Sequence, residues 1–119
     1  MTLEEFRNLA KSLVAVREIN RLGNETLFVE AVAIATLGWP DPGHAMVTVW
    51  PADQTALLAD GPGVFREAPG GAGRRGATIV ALRALTPDLA KRVLRLANER
   101  ALKITTAGGG QLKLFATRR

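Results

Sequence analysis

Apolar positions recur at helical spacing near both ends of the chain and at strand-like spacing between them. Phe6, Leu9, Ala10 and Leu13 share one face of a helix predicted over Thr2 to Leu13. Thr2 with Glu5 three residues on has the form of a capping box, and Arg7 and Lys11 lie i, i+4 on the opposite face. Val14 to Ile19 alternates weakly. Leu22-Gly23-Asn24-Glu25 has turn chemistry, and Thr26 to Val29 and Ala31 to Leu37 are aliphatic and β-branched. Gly38-Trp39-Pro40-Asp41-Pro42-Gly43 cannot continue a ladder and reads as a loop. Ala45 to Trp50 then pairs across it as a hairpin.

Pro51 to Ala59 reads as a short helix, with proline suited to the first position and Asp53 complementing the dipole. Asp60-Gly61-Pro62-Gly63 ends it, Val64 to Arg66 is a short strand, Pro69 to Gly73 a turn or flexible loop, and Ala77 to Leu82 a strand. Thr86-Pro87-Asp88 opens a last helix that carries Leu89, Val93, Leu96, Ala97 and Ala101 as its core stripe and ends near Leu102. Lys91, Arg92, Arg95 and Glu99 face outward. Gly108-Gly109-Gly110 breaks the pattern, so residues 1–107 are expected to form a single domain and 108–119 a flexible C-terminal tail. The expected order is α-β-β-β-α-β-β-α, an α+β two-layer sandwich with helices on one face of an antiparallel sheet.

Length and composition fit one core and no more: the chain has 119 residues, 47% of them hydrophobic. The apolar run Ala31–Leu37 is far too short to span a bilayer, and the acidic, helix-patterned N-terminus does not look like a secretory signal. The expectation is a cytoplasmic protein that engages no membrane.

Charge changes the picture more. The net charge is +5, and its distribution is uneven. Through Trp50 there are four basic and six acidic residues; beyond it there are twelve basic and five acidic. A basic half suits an acidic partner such as nucleic acid, and it equally suits a solvated surface.

Candidate chemistry is sparse. The absence of cysteine removes thiolate nucleophiles and cysteine-based metal sites. His44 is the only histidine and Ser12 the only serine, so a triad has no material, and His44 beside a Pro/Gly loop reads as an exposed turn residue. Asp41 is the only carboxylate near it in sequence, too little for a metal site. Glu4 and Glu5 suit a helix start, and nothing in the spacing brings Glu18, Glu25 and Glu30 together. No enzyme activity, cofactor or metal is expected. Trp39 and Trp50 flank the third strand; each can cap a small core, and an exposed one could stack on a base.

The most distinctive stretch is Gly70-Gly71-Ala72-Gly73-Arg74-Arg75-Gly76. It lacks the Gly-Lys-Ser/Thr of a phosphate-binding P-loop, and a strand rather than a helix follows. Two readings stand. In one, a mobile glycine wing carries two arginines to a phosphate backbone; in the other, it is a tight connection whose arginines point to water.

Five segments in order carry a resemblance: Met1-Thr2-Leu3-Glu4-Glu5-Phe6-Arg7 with Ser12-Leu13; Thr26-Leu27-Phe28-Val29; Ile34-Ala35-Thr36-Leu37-Gly38; Met46-Val47 with Pro51-Ala52-Asp53-Gln54; and Pro69 through Thr78. Spanning the chain to about Ala101, they resemble the MmcQ/YjbR family of small bacterial proteins. The sequence departs from that family at Ala72, where tryptophan is usual, at Trp50, where a threonine cap is usual, at Asn24-Glu25, often His-Pro, and near Val32, commonly lysine. These losses thin out any ligand site built from those residues. The resemblance implies the same α-β-β-β-α-β-β-α sandwich, similar to secretion-chaperone-like folds, and DNA binding through a double-wing motif. It implies no enzyme activity and no cofactor.

The first expectation is therefore a small DNA-binding protein that contacts mainly phosphates, with weak sequence specificity. Its nucleic-acid-binding candidates are Arg74 and Arg75, supported by Arg66 and Arg83, and a second candidate patch is Lys91, Arg92 and Arg95. The alternative is an interaction module that binds itself or another protein and no nucleic acid.

Overall fold

The computed structural model describes residues 1–13, 16–21 and 24–118. Its elements run α1 (Leu3–Leu13), β1 (Arg17–Arg21), β2 (Asn24–Val29), β3 (Val32–Leu37), β4 (His44–Thr48), α2 (Pro51–Asp60), β5 (Phe65–Glu67), α3 (Gly70–Arg74), β6 (Ala77–Ala81), a 3-10 turn (Leu82–Ala84) and α4 (Pro87–Arg118).

The α+β architecture is as expected. The strands form one antiparallel sheet in the order β1-β2-β3-β4-β6-β5. The element order differs in two places. The weakly alternating run yields a full strand, β1, so four strands rather than three precede α2. A short helix, α3, also stands where a turn or flexible loop was expected between β5 and β6. Val14, Ala15, Leu22 and Gly23 lie outside the described residues.

Local chemistry accounts for most of the boundaries. The capping box at α1 forms reciprocally: Thr2 N–H donates to Glu5 Oε1 at 2.8 Å, and Glu5 N–H to Thr2 Oγ1 at 3.0 Å. Hydrogen bonding from the Thr2 backbone N–H, then the Thr2 side chain, holds the Glu5 carboxyl below its ordinary range. Gly61 ends α2 by donating to the Leu57 carbonyl at 2.8 Å. Thr86 Oγ1 accepts from Leu89 N–H at 3.2 Å and caps α4, with Pro87 in the first helical position.

Helices α1, α2 and α4 cover one face of the sheet. Phe6 and Ala10 from α1 meet Leu27, Ile34, Leu37 and Val47 from the strands, and Ala90, Val93, Leu94, Ala97 and Ala101 from α4. Ala90 and Leu94 are thus central to the α4 stripe, while Leu89 and Leu96 are only half-buried at its margin. A bulge between β2 and β3 leaves Ile34 out of the pairing register, which buries both Ile34 and Ala35. On the opposite face, Ala68, Ala77 and Ile79 form a smaller cluster roofed by Trp39 and Met46. Trp39 therefore caps a core.

Helix α4 does not end near Leu102 but continues through Gly108–Gly110 to Arg118. Glycine weakens a helix by about 1 kcal/mol per residue without forbidding helical dihedrals, and no proline follows Pro87. At 1.5 Å per residue this helix matches the longest dimension of the molecule, 50 Å.

Candidate functional site

The four arginines singled out first all belong to the unit β5–α3–β6 and the turn that follows it. Strand β5 is the sheet edge, and it pairs with β6 through Phe65↔Val80, Arg66↔Ile79 and Glu67↔Thr78. Phe65 and Val80 face the helix layer, so Arg66 faces the other side with Ile79. Arg74 closes α3 and Arg75 is its C-cap, at the start of β6. Arg83 sits in the 3-10 turn at the far end of β6. Gly76 to Leu82 spans about 20 Å of extended chain. All four arginines are exposed, and none makes an ion pair among the described residues.

The glycine stretch is not a mobile wing. Residues 70–74 form a helical turn tied to the body by one buried side chain. Gln54 of α2 donates from Nε2 to the Gly73 carbonyl (3.0 Å), the Ala77 carbonyl (2.9 Å) and Thr78 Oγ1 (3.2 Å). Thr78, itself fully buried, donates to the Gly76 carbonyl at 3.0 Å. The glycines serve close approach. A Cβ on Gly73 would overlap the Ala68 carbonyl oxygen, and one on Gly76 (φ 110°) would overlap that of Val49. Arg74 and Arg75 are thus mounted on a fixed corner, and the tight-connection reading describes this segment.

At the other end of β6, three loops converge. His44 opens β4 opposite Ala81, the turn Gly61–Val64 leads into β5, and the 3-10 turn carries Arg83. The turn is braced by the Leu82 N–H donating to the Gly43 carbonyl (3.0 Å) and by the Met1 ammonium donating to the Leu82 carbonyl (2.9 Å). Two adjoining clefts open here. One of about 250 Å³ is lined by His44, Arg66 and Ile79. One of about 440 Å³ is lined by Asp41, His44 and Arg83. Both include Gly63 and Ala81.

His44 is half-buried rather than a free turn residue. Its Nδ1 lies 2.7 Å from Asp41 Oδ1, which also accepts the Gly43 N–H at 2.8 Å. The hydrogen bond from His44, then that from Gly43, with attraction to His44 and Arg66, holds the Asp41 carboxyl below the usual aspartate range. An ionised carboxylate can only accept, so Nδ1 carries the proton and Nε2 is left for a ligand. The signal for this pair was visible as Asp-x-Gly-His, an Asx-turn sequence with the histidine three residues after the acid.

The fold is similar to that of a DUF419 protein. A crystal structure of Deinococcus radiodurans protein DR2400, which carries that domain, superposes with a TM-score of 0.64 over 91% of this chain and 80% of the other, at 14% identity. DUF419 is a family of the MmcQ/YjbR type. No family model and no curated protein matches the sequence. Likeness at this identity establishes the shared architecture alone.

The second predicted patch is separate from the sheet edge that carries the four arginines. Lys91, Arg92 and Arg95 lie on α4 in the helix layer, and Arg92 does not simply face outward: its Nη1 is 2.6 Å from Asp60 Oδ2, joining α4 to α2. Other charges are similarly occupied. Arg7 grips Glu25 through Nε and Nη2, with Nη2 2.6 Å from Oε1, and Lys11 pairs with Glu18, so α1 is clamped to β2 and β1. Hydrogen bonding to Glu25 raises the Arg7 pKa above its ordinary value.

Trp50 stands at the N-cap of α2 without a side-chain hydrogen bond, having no side-chain oxygen to accept one, and the Arg100 guanidinium lies 5.3 Å from its ring centroid. Burial lowers the Arg100 pKa. Among the described residues no helix is long and apolar enough to cross a membrane, and no cluster of metal-binding side chains occurs.

Proposed function

We propose that this protein binds nucleic acid, as a DNA-binding protein of the MmcQ/YjbR type, through the basic edge of its sheet. One observation carries the reading: Arg66, Arg74, Arg75 and Arg83 are all exposed on the β5–α3–β6 unit and the turn beyond it, while the arginine and lysine of α1 are spent on structural ion pairs. A strip of about 20 Å faces several phosphates of a duplex, where a charge recurs roughly every 1.7 Å of axis. Recognition is of the backbone, with little sequence preference. The fixed corner at α3 favours a preformed contact over a wing that orders on binding.

The test is a salt titration of binding to a short fluorescent duplex and to its single strand. Wild type should bind with an affinity that falls steeply with salt. The Arg74→Ala/Arg75→Ala variant should bind more weakly with a log–log slope shallower by about 2, one for each lost phosphate contact. Salt-independent binding, or no binding at low salt, refutes the reading and leaves a protein partner as the role of this edge.

A further inference from the structure

The clefts at the far end of β6 differ in kind from the exposed corner at α3. There, two exposed arginines stand at the end of a five-residue helix. Here, Arg66, Arg83 and His44 arrive from three separate segments (β5, the 3-10 turn and the start of β4) around adjoining hollows of about 250 and 440 Å³. The His44 side chain is only 27% exposed and sits at the inner wall that the two clefts share.

The donor set selects the ligand. Each guanidinium offers a planar fork, and Asp41 fixes the imidazole with Nε2 available. Asp41 is the one acidic side chain in the lining of the two clefts, and its Oδ1 already takes both His44 Nδ1 and the Gly43 N–H. A carboxylate is satisfied by one arginine fork. An internal phosphodiester has two free oxygens, a single charge and a chain leaving on both sides, so it meets the exposed Arg66 and Arg83 at the rim without filling the recess. A terminal phosphate has three free oxygens, up to two charges and a chain leaving on one side only.

We infer that this cleft is a phosphomonoester site, with Arg66 and Arg83 as its donors and His44 Nε2 as the acceptor for the hydroxyl of the phosphate monoanion, a group that an internal phosphodiester lacks. The ligand is either the phosphorylated end of a nucleic-acid strand or a free small phosphomonoester. The first source rests on the nucleic-acid reading above; the second does not.

The experiment uses the full chain, labelled with nitrogen-15 and titrated with adenosine monophosphate, then with two otherwise identical single strands bearing a 5′-phosphate or a 5′-hydroxyl. Amide shifts on adding the monophosphate should gather at residues 41–44, 63–66 and 81–84. Arg83→Gln and His44→Gln should each weaken monophosphate binding by about tenfold or more, and Lys103→Gln, an exposed cation that lines neither cleft, should leave it unchanged. Arg83 is exposed, so its variant should keep the wild-type spectrum elsewhere, which separates lost binding from lost folding.

Tighter binding of the 5′-phosphate strand, with the preference erased by Arg83→Gln, assigns the site to strand ends. Monophosphate binding with no preference between the strands assigns it to small phosphomonoesters. Absence of shifts at those residues with either phosphate, or equal loss of monophosphate binding in the Lys103→Gln variant, overturns the inference. In that case salt-dependent duplex binding through Arg74 and Arg75 would still stand, so the two failures are distinguishable.

Discussion

Replacing Gln54 by methionine keeps the length of the side chain and removes its donor. The amide is 5% exposed and holds two carbonyls and a hydroxyl at 2.9–3.2 Å. Neither carbonyl is orphaned by the change: Gly73 still accepts from Gly76 N–H, and Ala77 from Ala68 N–H. The loss is therefore two or so net hydrogen bonds at about 1 kcal/mol each, without the larger penalty of a bare buried carbonyl, giving about 1–3 kcal/mol in total. Urea unfolding followed by tryptophan fluorescence should show a lowered midpoint, and Tm should fall by roughly 4–12 °C. Amide exchange adds the location. Protection at Arg75 and Gly76, whose N–H groups donate to Gly71, Ala72 and Gly73 carbonyls, should drop more than protection in β2 and β3. Nucleic-acid affinity should fall although no charge has changed, because Arg74 and Arg75 lose their fixed corner. An unchanged midpoint together with unchanged exchange at Arg75 and Gly76 would refute the claim that Gln54 holds α3 in place.

Gly76→Ala should destabilise by about 1–3 kcal/mol through the Val49 carbonyl and its positive φ, whereas Gly70→Ala, at φ 73° with open space around it, should cost only about 1 kcal/mol by thermal melting; equal tolerance would restore the flexible-loop picture. A double-mutant cycle on Arg7 and Glu25 should return a coupling of about 1 kcal/mol in urea denaturation, since the contact is bidentate but its side chains remain 28% and 17% exposed, and a coupling near zero would mean α1 docks by its apolar face alone. The Glu5 carboxyl is depressed below 4.5 in the folded state, so its contribution is fully present above that value and is lost as pH falls through the lower folded value; Glu5→Gln should flatten the acid limb of a stability–pH curve, and an identical limb would place the acid sensitivity elsewhere.

What the sequence by itself determined is whatever depends on neighbours along the chain. The capping box Thr2–Glu5, Pro51 at the start of α2, the Gly61 stop and the Thr86–Pro87 start of α4 each read off within four residues, because caps and turns are closed by short-range hydrogen bonds. The same range covers the stripe Phe6–Ala10, the strand alternation around Val47 and the α+β class. What only the tertiary structure decided depends on partners distant in sequence. The pattern Gly70–Gly76 is compatible with a mobile wing until Gln54, some twenty residues earlier, supplies the donor that makes it a helical corner. Arg7, Lys11 and Arg92 looked like solvated charges until Glu25, Glu18 and Asp60 were brought across to them. His44 looked like a turn residue until the pairing of β4 with β6 set it beside Arg66 and Arg83. Helical periodicity says which face of a segment is apolar, but a long-range hydrogen bond or ion pair leaves no trace in local pattern, because its two halves meet only when the sheet has closed.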